Sequence, residues 1–326
     1  MHIRNKIINN TYVASYSDRN ISIADKIKHT RKHKHKHKHK PIAAFVLSSL
    51  MVVHSGVVYA EDIYYDGTQT KEDIPSLEQN ILQPVLGSSS NIVRIVNNDK
   101  GIHIREIYGG YTASDNIKDN QVFIENGSFL SRAYGGRSYN GEVTGNVVNI
   151  KGVGSATHRA YGGYSSNGDV IGNTLIFSDG ATIDDSFGAM AYGGYSENGG
   201  NVIGNTLDIS GSIVVSGAQL YVYGGNSTSG NAIGNIVNIK DSHLLNGRVT
   251  AGITYSAVTR ENILNLSGNA QIHSGTAGGS GSNLDGPKIY LSEGNILNLK
   301  DNARIVEIAR GGSSDVGLVT KNIINL

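Results

Sequence analysis

The stretch AYGGYSSNGDVIGNTLIF, residues 160–177, returns as AYGGYSENGGNVIGNTLDI at residues 191–209. Both copies contain a Tyr-Gly-Gly, a polar turn and a Gly-Asn step, and apolar residues follow two and four places after the Asn. This Asn pattern occurs nine times along the chain, at steps of 26 to 33 residues. A motif that returns at such spacing is typical of a repeat protein. The nine residues are Asn91, Asn120, Asn146, Asn173, Asn205, Asn235, Asn262, Asn295 and Asn322.

Tyr-Gly-Gly is the second landmark of the repeat, and it weakens in the later copies. The step from its Tyr to the next Asn is 12 or 13 residues, whereas the step from an Asn to the following Tyr runs from 14 to 19 residues. One half of each repeat is therefore a regular scaffold, and the other half tolerates insertions. The tyrosines are Tyr108, Tyr134, Tyr161, Tyr192 and Tyr223.

Alternation after each Asn predicts a half-buried strand. After Asn146, Val148 and Ile150 share one face, while Val147 and Asn149 share the other. Two more short alternating runs per repeat, separated by Gly, Ser and Asn turns, complete a coil. A propeller blade needs about 40 to 45 residues, and a leucine-rich repeat needs more Leu. We therefore predict an all-β fold, a right-handed parallel β-helix (solenoid) with about nine repeats of ~29 residues.

Stacked coils lie about 4.8 Å apart, so equivalent residues lie above one another. We expect the nine Asn residues to form a structural amide ladder inside the solenoid. We expect the five tyrosines to stack at a structural Tyr-Gly-Gly turn, where the glycines let the chain bend. A sugar-binding aromatic strip is the functional alternative for these tyrosines.

The first sixty residues differ in composition from the rest, with 11 of the 28 Lys and Arg but 2 of the 27 Asp and Glu. A basic stretch, an apolar run at residues 41–53 and small residues before Ala60 predict a signal peptide cleaved between Ala60 and Glu61. Alternating His and Lys at residues 32–40 could bind Zn or Ni, but we interpret them as the positive region of this signal. Removal of residues 1–60 leaves a net charge of −8, which gives no indication of nucleic-acid binding.

We divide the remainder into an N-terminal linker or cap, residues 61–90, and the repeats, residues 91–326. The chain has no Cys, so neither disulfides nor thiol chemistry contribute. We predict no catalytic, cofactor-binding or metal-binding residue, and no cofactor.

A long basic signal followed by Gly- and Asn-rich repeats without Cys resembles the N-terminal part of a type V autotransporter of Gram-negative bacteria. The resemblance implies an exported β-helical passenger, displayed at the cell surface or outer membrane or released outside the cell after transit through the periplasm. It implies an adhesive or structural role, with host or neighbouring cell surfaces (glycan or protein) or further copies of the chain as partners. An outer-membrane β-barrel is a further expected partner. No series of ten-residue amphipathic strands for it occurs in this sequence, and the last repeat is incomplete, so we expect a truncated product or a fragment.

The rival hypothesis is a β-helical enzyme that degrades polysaccharides. Within the repeats, Asp184 and Asp185 are the adjacent acidic pair that could do acid–base work. We interpret them as a solvated loop, because no second acidic cluster recurs one coil away.

Overall fold

The computed structural model describes residues 60–96, 104–126, 129–153, 155–183, 189–211, 213–214, 220–280, 290–315 and 317–326. They belong to one compact unit, Ser49–Leu326. Their strands form a parallel β-solenoid, which confirms the predicted fold class. A 3₁₀-helix spans Pro75–Gln79. Within the described residues, no helix is both long enough and apolar enough to cross a membrane. The predicted signal region up to residue 59 lies outside the described residues.

Three parallel sheets form the walls of the solenoid, and the chain visits sheet 1, sheet 2 and sheet 3 in turn. Sheet 1 contains Asp62–Tyr65, Ile92–Val96, Gln121–Glu125, Val147–Lys151, Thr174–Ser178, Thr206–Ser210, Ile236–Lys240, Ile263–Ser267, Ile296–Leu299 and Ile323–Asn325. Sheet 2 contains Ile81–Leu82, Ile104–Thr112, Phe129–Ser138, Ala156–Ser165, Thr182–Ile183, Met190–Ser196, Ile213–Val214, Leu220–Ser227, His243–Thr254, Gln271–Ser280 and Arg304–Ser314. Sheet 3 contains Ile117–Lys118, Val143–Thr144, Val170–Ile171, Val202–Ile203, Ala232–Ile233, Val258–Arg260, Tyr290–Glu293 and Gly317–Thr320.

Sheet 1 has the predicted alternation. Val148 and Ile150 are fully buried, whereas Val147 and Asn149, which alternate with them, are half-buried. Val148 pairs with Leu175 of the next coil, so apolar side chains stack on one another along the interior. Because a one-residue slip would turn every one of these side chains outward, the apolar pattern fixes the register of the sheet.

The turn from sheet 3 to sheet 1 has the same backbone conformation in every coil. The residue before each of the nine Asn residues has a positive φ, between 54° and 65°. Only Gly adopts this left-handed region without steric cost, and Asn or Asp tolerate it better than most residues. The residues concerned are Ser90, Asp119, Gly145, Gly172, Gly204, Gly234, Glu261, Gly294 and Lys321.

Residues 61–90 form strands at the start of the same solenoid. Asp62–Tyr65 pairs in parallel with Ile92–Val96, and the Tyr65 side chain is fully buried in the core. Ile81–Leu82 pairs with Ile104–Thr112. This segment therefore covers the first coil of the repeats and extends both of its sheets.

The prediction of a Tyr-Gly-Gly turn is wrong. These segments lie inside strands of sheet 2, and the glycines pair in register, as Gly163 does with Gly136 and Gly194. None of the described Tyr-Gly-Gly glycines has a positive φ. Glycine is needed at these positions because there is no room for a side chain. A Cβ on the first glycine of the pair would collide with a backbone carbonyl oxygen of the next coil, as at Gly135 against Gly162.

Candidate binding surface

The nine Asn residues lie one above another at the corner between sheet 3 and sheet 1, inside the solenoid. At each of the eight steps, the side-chain Nδ2 donates to Oδ1 of the next Asn at 2.6 to 3.0 Å. The same Oδ1 also accepts the backbone N–H of the preceding Asn. The second Nδ2 hydrogen of Asn173 reaches the carbonyl oxygen of Val143 at 2.8 Å. Eight of the nine side chains are fully buried, so a ladder of paired amides supports the core and offers no group to a ligand.

The ladder explains the second glycine of each Tyr-Gly-Gly. A Cβ on Gly163 would lie 2.5 Å from Cγ, 2.6 Å from Nδ2 and 2.8 Å from Oδ1 of Asn173. Real Cβ atoms do not approach other heavy atoms so closely, and all three atoms of the amide are affected. The two landmarks of the repeat, Tyr-Gly-Gly and the Asn, therefore depend on each other, because the second glycine leaves room for the amide of the Asn.

The five tyrosines stack on the outer face of sheet 2, in a cluster separate from the solenoid core. Successive ring centroids are 4.9, 4.9, 5.0 and 5.2 Å apart, and the planes differ by 3° to 18°. The rings cover one another, so each is at most 9% exposed although it lies outside the core. The stack ends at Tyr223, because Thr250 occupies the equivalent position in the next coil.

A second file of side chains runs beside the stack, three residues further along each strand. Its six register-matched members are Tyr111, Arg137, Tyr164, Tyr195, Asn226 and Ile253. Arg137 lies across the rings, with its guanidinium carbon 5.2 Å from the centroid of Tyr134 and 5.1 Å from that of Tyr164. It also donates a hydrogen bond of 3.1 Å to the hydroxyl of Tyr108. In this coil the protein itself covers the aromatic surface with a cation–π contact.

Burial raises the pKa of the five stacked phenols and of the neighbouring Tyr164 and Tyr195, which favours their neutral form. It raises the pKa of Tyr164 to about 12, and the 2.6 Å hydrogen bond that its hydroxyl donates to Glu197 acts in the same direction. The pKa of Tyr192 is raised further, by burial first and by the neighbouring phenols second. The stack and these neighbours therefore carry neutral hydroxyl groups, which can both donate and accept hydrogen bonds.

An open groove of about 360 Å³ lies where the stack ends. Tyr192 and Tyr223 form one wall, and Tyr195 lies against Tyr192 at a centroid distance of 4.9 Å. Tyr255 stands at the rim and is 36% exposed. The volume of the groove is within the roughly 300–1,000 Å³ of small-molecule sites. The groove is lined by Met190, Tyr192, Tyr195, Tyr221, Tyr223, Asn226, Thr228 and Tyr255.

Asn226 is the polar side chain that stands out in this groove. It occupies the file position held by Tyr195 one coil earlier, so a short amide takes the place of a ring there. Asn226 is 4% exposed, and its Oδ1 has no hydrogen-bond partner among the described residues. An unpaired buried acceptor costs roughly 1–3 kcal/mol, which a donor on a bound molecule would recover.

The remaining candidate residues fall in different places. Asp184 and Asp185 lie outside the described residues. Ala60 is exposed, and the backbone N–H of Glu61 donates to Oδ1 of Asn91 at 2.7 Å, so the first residue after the predicted cleavage site already contacts the ladder. No group of three or more His, Asp or Glu residues in the described parts of the chain is placed to hold a metal ion.

The sequence did not predict the groove, although two signals point to it. The Tyr-Gly-Gly landmark is replaced by Thr250-Ala251-Gly252, and the residue after the glycine pair changes from Tyr195 to Asn226.

Comparisons with protein-family models, curated proteins and solved structures give no match to this chain.

Proposed function

We propose that this chain is an adhesive and structural passenger of the type V autotransporter class, exported by a Gram-negative bacterium and displayed at its surface or released. The observation that carries the proposal is the tyrosine face of sheet 2, which crosses five successive coils outside the solenoid core. Aromatic side chains with neutral hydroxyl groups are enriched at protein interfaces, because they offer large rigid contact areas together with hydrogen-bonding groups.

The outer face of sheet 1 supports the same role through its polar character. A second line of amides follows it, in which Asn265 Nδ2 donates to Asn238 Oδ1 at 2.7 Å and Asn298 repeats the contact on Asn265. Flat polar and aromatic walls on a regular scaffold suit many weak contacts with a cell surface or with another copy of the chain.

Export is tested by the N-terminus of the mature protein. The full chain, produced in a Gram-negative host, should appear outside the cytoplasm with Glu61 as its first residue. An Ala60→Arg variant should stay uncleaved, because signal peptidase needs a small residue at this position. A full-length product that stays in the cytoplasm would refute export.

Adhesion is tested with beads coated with the purified chain. These beads should attach to epithelial cells or to bacterial cells that produce the protein, above the level of beads coated with albumin. Attachment equal to the albumin control on both cell types would refute the adhesive role.

The enzyme hypothesis is tested separately on pectin, alginate and peptidoglycan. We expect the full chain to release no products from them, and the double change Asp184→Asn and Asp185→Asn to leave bead attachment unchanged. Product release that this double variant abolishes would replace the proposal by the enzyme hypothesis.

A further inference from the structure

The outer face of sheet 2 shows what its rings accept. In the coil of Arg137, a long polar side chain of the protein lies across the tyrosines and donates to the hydroxyl of Tyr108. In the coil of Asn226, the same register position holds a side chain too short to do this. The groove is the space that results, and it is open to an external molecule.

The ring faces and the amide together restrict the chemistry of the occupant. Tyr192 and Tyr223 cover each other in the stack, so the ring surface left to an occupant is that of the half-buried Tyr195 and Tyr221 and of Tyr255, which is 36% exposed. Such a surface suits a group with an apolar face of about one ring. Asn226 requires a hydrogen-bonding group, since its Oδ1 is buried without a partner among the described residues. An apolar ligand would leave this atom unpaired. A hydroxyl group both donates and accepts, so it pairs with either end of the carboxamide.

Charges around the groove decide between a cation and a neutral molecule. Arg159 and Arg248 are the register partners of Met190 and Tyr221, so each lies one coil away on either side of the groove. Both guanidinium groups act on the phenols of the groove, Arg159 on Tyr195 and Arg248 on Tyr223. The carboxylate of Glu197 is nearby but already accepts the hydroxyl groups of Tyr164 and Ser166. An external cation would meet two positive charges against one engaged carboxylate.

We propose that the groove formed by Tyr192, Tyr195, Tyr223, Asn226 and Tyr255 binds a neutral sugar ring of a glycan. The apolar face of the pyranose stacks on the accessible rings of Tyr195, Tyr221 and Tyr255, and one of its hydroxyl groups pairs with Asn226. This assignment deepens the adhesive function proposed above and rests on it for its biological setting, while the binding chemistry depends on the groove alone.

The test is saturation-transfer NMR on the full chain with the methyl glycosides of glucose, galactose, mannose and N-acetylglucosamine. Tetramethylammonium and arginine methyl ester serve as cationic probes. We expect at least one glycoside to bind, with a Kd on the order of millimolar, as is usual for a contact worth about 4 kcal/mol.

The decisive variant is Asn226→Tyr, because it extends the tyrosine file of the preceding coils and fills the groove without disturbing the core. We expect it to weaken glycoside binding at least tenfold. Tyr255→Ala, at the exposed rim, should have a similar effect, and Tyr139→Ala, at an exposed position outside the groove, should have none. Circular dichroism of each variant checks that the fold is retained.

Three results would overturn the assignment: no glycoside binds, Asn226→Tyr leaves binding unchanged, or a cationic probe binds more tightly than every glycoside. Beads coated with Asn226→Tyr separate this inference from the adhesive function. Unchanged glycoside binding together with attachment as strong as that of the unmodified chain contradicts the groove assignment and leaves adhesion in place. Glycoside binding that depends on the groove, without any bead attachment, contradicts adhesion and leaves the assignment in place.

Discussion

Alanine at Gly163 and alanine at Gly172 make the same chemical change on opposite sides of one ladder residue, Asn173, and should have very different effects. The Cβ of Gly163→Ala would lie 2.5 to 2.8 Å from three atoms of the Asn173 amide, so rotation of the amide gives no relief. The Cβ of Gly172→Ala meets nothing within 4 Å, but the residue has φ +62°. The first variant removes space, and the second adds only backbone strain.

The magnitudes follow from the contacts of Asn173. One Nδ2 hydrogen goes to Asn205, and the other is shared by the carbonyl oxygens of Val143 and Ile171. The Oδ1 accepts the backbone N–H and the Nδ2 of Asn146, so displacement of the amide removes two donated and two accepted hydrogen bonds. At about 1 kcal/mol each, Gly163→Ala should lower the free energy of unfolding by about 4 kcal/mol, before any strain from overpacking. Gly172→Ala should cost roughly 1–2 kcal/mol, the price of the left-handed region for a residue with a Cβ.

Urea unfolding followed by far-UV circular dichroism measures both variants, and hydrogen exchange of the Asn146 and Asn173 amides reports the local effect. The double variant Gly163→Ala with Asn173→Gly restores the space and should be more stable than the sum of the single changes predicts. Equal losses for Gly163→Ala and Gly172→Ala, or strict additivity in the double variant, would refute the steric coupling of glycine and amide.

Three further outcomes are expected. Val148→Asp places a carboxylate in the core and should abolish protease resistance, since an unpaired buried charge costs several kcal/mol. Asn149→Asp, on the outer face, should keep this resistance, and equal resistance of the two variants would show that the strand register is wrong. Asn205→Asp loses both Nδ2 donations and should be destabilised by at least about 2 kcal/mol. The loss should increase above about pH 4, because the carboxyl group ionises in the unfolded chain and resists ionisation when it is buried. Exposed Asn302→Asp is the control in the same pH-dependent melts, and similar losses in both variants would contradict the buried ladder. Burial raises the folded pKa of Tyr164 to about 12, above its ordinary value of 10.0, so its contribution to stability is complete below about pH 10 and disappears as the pH rises through 12. Tyrosinate absorbance should therefore increase together with unfolding, and gradual ionisation of a folded chain below pH 12 would count against this.

The sequence was sufficient to predict the core side of the fold. The period of the Asn pattern and the apolar residues after it determine sheet 1, because these residues must face inward in every coil. Positions such as Val148 follow directly, since strand alternation needs no knowledge of distant contacts.

Sequence reasoning failed where two segments meet across the coil. Glycine usually indicates a turn, so the Tyr-Gly-Gly was predicted as one. In the structure, Gly163 lies in a strand. The residue is glycine because the amide of Asn173, ten residues later, occupies the place that a side chain would take. The nearly constant step from Tyr to Asn contained this information, but only the fold shows which atoms meet. The groove also escaped prediction, because it depends on what is missing from the register at Asn226 and Thr250.

The amide ladder separates the length of a coil from the distance between coils. Neighbouring Asn residues are 26 residues apart at Asn120 and 33 apart at Asn262, yet the Nδ2–Oδ1 distances are 2.7 and 2.9 Å. In the coil of Asn262, the extra residues fall between the sheet 2 strand Gln271–Ser280 and the sheet 3 strand Tyr290–Glu293. Residues added between sheet 2 and sheet 3 therefore leave the stacking unchanged. Peptides grafted into that side of several coils would be presented as a row with a spacing of about 4.8 Å, which makes the solenoid a molecular ruler for arranging epitopes or enzymes.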